Sequence, residues 1–216
     1  MKKKIAALIV ASAMVVSMMV SCSSNGGTDT SSDNSISSSV GDTSVSSSVN
    51  VDNIDIADEW TSGQIAIDGV VYTLPCENSE FHNNGWDFKY TEGDLEAMQC
   101  SVSQRLVNGD KTILAQLINM SNEKIDILEG QIGQVQIDAN DGVSVVLPGK
   151  LVFDENITVE DIKAKYGEPA EEKEVDDHVI LNYNGDTDQE LKFFIYNPGS
   201  NMEKYSSVTF KNFGTK

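Results

Sequence analysis

Positive charge is the first thing this chain has little of. Against 34 Asp and Glu it carries 15 Lys and Arg, and Arg105 is its only arginine. Neutralising nucleic-acid phosphates takes clustered Lys and Arg, so no nucleic-acid partner is expected. Histidine is scarcer still. His82 and His178 stand far apart in sequence, which leaves a zinc centre without ligands at the usual spacing. Cys76, six residues before His82, is the only thiol near a candidate base, and nothing in the sequence orients either group for nucleophilic attack. No Gly-rich phosphate loop and no Gly-x-Ser-x-Gly elbow is present. The expectation is therefore no catalytic residue, no metal and no cofactor.

Long apolar runs are also missing, with one exception. Ile5 to Val20 contains no charge but spans only 16 residues, short of the roughly 20 that a membrane-spanning helix needs. Lys2, Lys3 and Lys4 precede it, and Met19-Val20-Ser21-Cys22 closes it. A basic start, a short apolar run and a small residue before a cysteine make an export signal. The alternative cleavage after Ala11-Ser12-Ala13 would leave the apolar Met14 to Val20 on the mature chain. The segment resembles bacterial lipoprotein signals, with Met19 where leucine is usual. That resemblance implies a signal peptide over 1–21 and a lipid on the Cys22 thiol. Its expected consequence is anchorage to the cell membrane on the extracytoplasmic face. Removing the signal leaves 12 basic residues against 34 acidic ones. A surface that acidic has no affinity for anionic lipid, so the acyl chains would have to hold the chain at the membrane.

Ser23 to Asn50 holds 12 serines in 28 residues, with no basic and no aromatic residue. Such a stretch buries too little apolar surface to offset its ordering entropy, so 22–55 is expected to be a disordered tether, roughly 30 Å end to end.

Beyond it the pattern predicts an α+β fold, mostly antiparallel β, with one short and one clear helix. Asp68-Gly69-Val70 with Leu74-Pro75 recurs as Asp141-Gly142-Val143 with Leu147-Pro148. The echo suggests two related half-domains, a β-rich one over 56–138 and a helix-plus-antiparallel-sheet one over 139–216. In the first, Asp68-Gly69 should turn a hairpin between Ile65-Ala66-Ile67 and Val70-Val71-Tyr72. Asn78 to Asn84 should form a helical turn or two stopped by Gly85. A second hairpin turning at Asn108-Gly109 would set Cys100 opposite Leu117, Val102 opposite Ala115 and Gln104 opposite Ile113. In the second, Thr158 should cap a helix that ends at Gly167 and Pro169, with Ile157 and Ile162 as its staple. Three strands, Val179 to Tyr183, Leu191 to Tyr196 and Ser206 to Phe213, should follow as a meander.

After Cys22, Cys76 and Cys100 remain, an even pair in an exported chain, and both are expected on the core side. A Cys76–Cys100 disulfide is therefore expected, worth about 3 kcal/mol in the chain-entropy model. Asp138 to Gly142 and Asp186 to Glu190 have alternating oxygen side chains that could suit calcium, but each departs from a calcium loop and reads as a polar turn. Glu171-Glu172 and Asp176-Asp177 read as a solvated face.

The stretch Asn156-Ile157-Thr158-Val159-Glu160-Asp161-Ile162, followed by Tyr166-Gly167-Glu168-Pro169, resembles the helix of two exported families. These are the β-lactamase-inhibitor protein and the small lipoprotein of the outer-membrane barrel-assembly machinery. Thr158, Gly167 and Pro169 match their pattern, while Asn156-Ile157 replaces Gly-Met. Over residues 150 to 213 the resemblance implies a helix-on-sheet module that binds other proteins without chemistry. The arrangement of lipidated cysteine, tether and small domain also looks like surface lipoproteins of Gram-positive bacteria. The expected function is a membrane-anchored, non-catalytic module for a protein or surface polymer. A small hydrolase or carbohydrate-active protein with a dispersed site is the alternative.

Overall fold

The first hairpin forms around Asp68-Gly69, as the sequence indicates. Both turn residues have positive φ, 51° and 82°, so Ile67 pairs with Val70 and the strands β1 (Gln64–Ile67) and β2 (Val70–Thr73) leave with the right twist. The computed structural model describes residues 50–185, 188–196 and 205–214. The signal peptide, Cys22 and most of the expected tether lie outside the described residues.

After β2 come β3 (Cys76–Glu77), α1 (Asn78–His82), β4 (Asp87–Phe88) and β5 (Asp94–Leu95). The hairpin of β6 (Gln104–Asn108) and β7 (Lys111–Ile118) follows, then β8 (Ile125–Asp126) and β9 (Gln131–Asp138). The second part contributes β10 (Val145–Leu147), β11 (Leu151–Phe153) and α2 (Val159–Tyr166). It ends with β12 (Glu171–Val175), β13 (His178–Asn184), β14 (Gln189–Tyr196) and β15 (Ser207–Asn212). The described residues are thus mostly antiparallel β with two α-helices, an α+β arrangement.

Nine strands form one sheet in the order β12-β13-β14-β15-β9-β7-β6-β4, with β3 also paired to β9. A smaller sheet runs β11-β10-β1-β2, and β5 pairs with β8. The division at 138/139 is therefore corrected. β9, before that point, pairs with β15 near the end of the chain, and β1 pairs with β10. Breaking the chain into 56–138 and 139–216 would leave both sheets with unpaired strands, and the described residues form one compact unit. The two Asp-Gly-Val segments are not structural copies. One turns a hairpin, while the other lies in the connection that carries the chain from the large sheet to the small one.

Alternation decides which faces meet. Ile65 and Ile67 of β1 join Leu147, Phe153, Leu181, Phe193 and Val208 in one core between the sheets. Ala66, on the other side of β1, packs with Val146, Ile54 and Ile56. This moves the start of the folded part. Ile54 is 7% exposed, so the chain is packed from about Val51, inside the stretch assigned to the tether.

The second hairpin pairs Asn108 with Lys111 and turns at Gly109-Asp110, not at Asn108-Gly109. Leu106 now faces Ile113, and Gln104 faces Ala115. The slip of two positions keeps Ile113, Ala115 and Leu117 inward, which is why the alternation alone did not resolve it, but β6 begins only at Gln104, and Val102, expected on the same face, is 76% exposed. Gly109 supplies the positive φ, 64°, at the first turn position.

Helix α2 has the predicted cap in full. Thr158 Oγ1 accepts from Asp161 N at 3.1 Å, and the Asp161 carboxylate accepts from Thr158 N. Ile162 is fully buried, a burial worth roughly 1.5–3 kcal/mol. Tyr166 continues the contact, edge-on to Tyr183 and donating to the Pro148 carbonyl at 2.8 Å. The meander is as expected, with one addition. β12, Glu-Glu-Lys-Glu-Val, has no apolar alternation, yet pairs along its whole length with β13. As an edge strand, its charges discourage pairing with other chains.

Candidate functional site

The groups with reactive side chains lie apart. Cys76, in β3, is buried, and burial followed by the charges of Glu80 and Glu77 pushes its thiol up to about 12. A thiol held protonated is a poor nucleophile. His82 ends α1, exposed, with Nδ1 2.6 Å from Asp87. His178 is on β13, half a sheet away in strand order.

The expected disulfide is not formed. Cys76 pairs with Ile132 of β9, the neighbouring β7 residue is Leu117, and Cys100 pairs with Ile118 on the far side of β7. Three strand spacings separate the two cysteines, roughly 14 Å, about twice the reach of a disulfide. Moreover Cys100 is exposed, not inward. The two-position slip alone would keep Cys100 inward; between Gln104–Ala115 and Cys100–Ile118 the pairing shifts by one further residue, which turns the side chain to the other face.

Of the two loops considered for calcium, Asp186 and Thr187 lie outside the described residues. At Asp138 to Gly142, the Asp141 carboxyl is pushed up by burial and then by Asp138, while Asp138 accepts from the Tyr205 hydroxyl at 2.9 Å. Lys111 shares this hollow and pairs with Asp68 at 2.8 Å. Among the described residues, no three His, Cys, Asp or Glu converge to hold a metal, and no helix is long and apolar enough to cross a membrane.

What the fold does assemble is an aromatic face. On β14, Leu191, Phe193 and Ile195 point into the core, so Phe194 and Tyr196 emerge on the opposite face. Antiparallel pairing sets Tyr196 beside His178. His178 stacks on Phe194 with ring centres 4.0 Å apart, and Tyr205 meets Phe194 edge-on at 5.9 Å. Hydrogen bonds fix the group. His178 Nε2 lies 3.0 Å from the Tyr205 carbonyl, which requires the proton on Nε2, and the Tyr205 hydroxyl binds Asp138. Burial and that carboxylate raise the Tyr205 phenol. Beside the rings is a shallow hollow of about 290 Å³, bordered by Gln136, Lys192 and Thr209. This face was overlooked in the sequence, although the alternation in β14 exposes Phe194 and Tyr196 once Leu191 is set inward.

A second concavity, of about 530 Å³, lies between the start of α2 and strands β12 to β15. Its floor includes Ile157, Val179 and Ile195, and its rim includes Glu155, Glu160, Glu172 and Glu174. Glu172 is held by Lys163 at 2.6 Å. Compared with known proteins, the chain matches no family model, no curated protein and no solved structure.

Proposed function

We propose that this protein is a non-catalytic binding module, held at the extracytoplasmic face of a bacterial membrane by a lipid on Cys22 and raised from it by a Ser-rich, disordered tether. Its partner is a protein or a surface polymer, met through the solvent-facing side of the large sheet. The observation that carries the reading is the fixed aromatic cluster of His178, Phe194, Tyr196 and Tyr205 on a sheet face that, among the described residues, no other element covers with core contacts. Aromatic rings presented rigidly offer large contact area at low entropic cost, which is why they dominate binding hot spots. The scattered Cys76, His82 and His178 support binding over nucleophilic chemistry.

The test is retention of the full chain on isolated envelope fragments, compared with a Phe194→Ala/Tyr205→Ala variant. Loss of a single hot-spot ring typically costs about 2 kcal/mol or more, so retention should fall at least tenfold. Equal retention of the two proteins would overturn the reading. Anchorage has its own test, since Cys22→Ser should accumulate as unprocessed precursor, and normal shortening of that variant would refute the lipid.

A further inference from the structure

We infer that the groove between the start of α2 and strands β12 to β15 is a docking site for a basic, apolar-anchored segment of a partner protein. The inference rests on the binding-module reading but uses a groove that meets the aromatic face only at Tyr196.

Sequence-distant pieces make the groove. Glu155 and Ile157 come from the loop before α2, and Glu160 from its first turn. Glu172 and Glu174 are alternate residues of β12, on the same side as Val179 and Leu181 of β13, which they flank in register. That side should be core, and beneath the glutamates it is, because Val179 and Ile195 are 7% and 2% exposed. The helix covers the inner face at Ile162 but leaves its N-terminal end standing off the sheet, and the groove is the gap. At about 530 Å³ it falls within the common range for ligand sites, about 300–1,000 Å³.

Charge selects the occupant. No basic side chain lines the groove. Lys163 neutralises Glu172 from outside it, whereas Glu155, Glu160 and Glu174 form no ion pair among the described residues. The backbone N–H groups at the start of α2 would ordinarily attract an anion, but Thr158 and Asp161 already satisfy that end. Carboxylates around a low-dielectric floor focus a negative potential into the gap. A segment with Lys or Arg flanking an apolar side chain complements both features, and an acidic segment is repelled. The apolar floor distinguishes this from general attraction to an acidic chain, because it rewards an anchor residue that a purely polar cation lacks.

The full chain, carried in detergent micelles, would be titrated into labelled peptides and followed by fluorescence anisotropy. Three probes are needed: lysine alternating with leucine, lysine alternating with serine at the same charge, and glutamate alternating with leucine. The lysine–leucine peptide should bind at least about tenfold more tightly than the lysine–serine one, a difference of about 1.4 kcal/mol. Glu160→Gln with Glu174→Gln should weaken it about tenfold, while Glu92→Gln with Glu123→Gln, equal in charge but exposed elsewhere, should leave it unchanged. Equal binding of the two lysine peptides, or equal weakening by both double variants, would overturn the groove as a specific site. So would tighter binding of the glutamate peptide. If the lysine–leucine peptide fails to bind while envelope retention still depends on Phe194 and Tyr205, this inference falls and the binding-module reading stands.

Discussion

Cys76 and Cys100 flank two intervening strands, β9 and β7, with the first thiol buried and the second exposed. Native-state alkylation should therefore modify Cys100 and spare Cys76. Under denaturing, non-reducing conditions both should react. Mass spectrometry of each sample checks this, and a species with neither cysteine alkylated after denaturation would restore the disulfide.

The same burial has a pH signature. Cys76 and Tyr72 are both raised to about 12, chiefly by desolvation. A folded-state pKa above the unfolded one means that the folded protein holds its proton longer, so the stabilisation is complete below the unfolded pKa and is lost as pH rises through the folded one. The urea midpoint should fall from about pH 8.5, where a free thiol begins to ionise, on toward pH 12. Cys76→Ala should flatten the early part of that fall. An unchanged slope would mean that the thiol ionises as readily in the folded chain as outside it.

Thr158→Ala removes the acceptor for Asp161 N and half of the capping box. The expected loss is about 1 kcal/mol in denaturant unfolding, and Thr158→Ser should recover most of it. A Thr158→Ala variant as stable as the parent would show that the box contributes nothing.

Asn119 is fully buried, and its side-chain amide donates to the carbonyls of Leu95, Glu96 and Glu123 while its oxygen accepts from Ser121 N. Asn119→Ala strands several of those groups, at a cost of about 2–3 kcal/mol. Faster amide exchange confined to the 95–125 region should accompany it. Stability within measurement error of the parent would argue that water replaces the lost bonds.

Local signals were legible where residues act on their near neighbours. Asp68-Gly69 needs two positive φ values, Thr158 needs only the next turn of chain, and the alternation in Val179 to Tyr183 and Leu191 to Tyr196 needs only a buried face. Those elements are where the sequence placed them. β12 was not legible, because an edge strand exposed along most of its length has no apolar alternation to betray it.

By itself, the sequence determined the acidity, the mostly antiparallel β character, the capped helix and the inward and outward residues of its longest strands. These follow from composition and from periodicities of two and 3.6, which act within a few residues. Tertiary structure alone decided that β9 joins β15, that Cys76 and Cys100 stand three strand spacings apart, and that Glu160 and Glu174 border one groove. Strand order and a two-residue slip in register preserve every local preference. Only packing of the whole inner face, with Ile65, Phe193 and Ile162 sharing one core, selects among them.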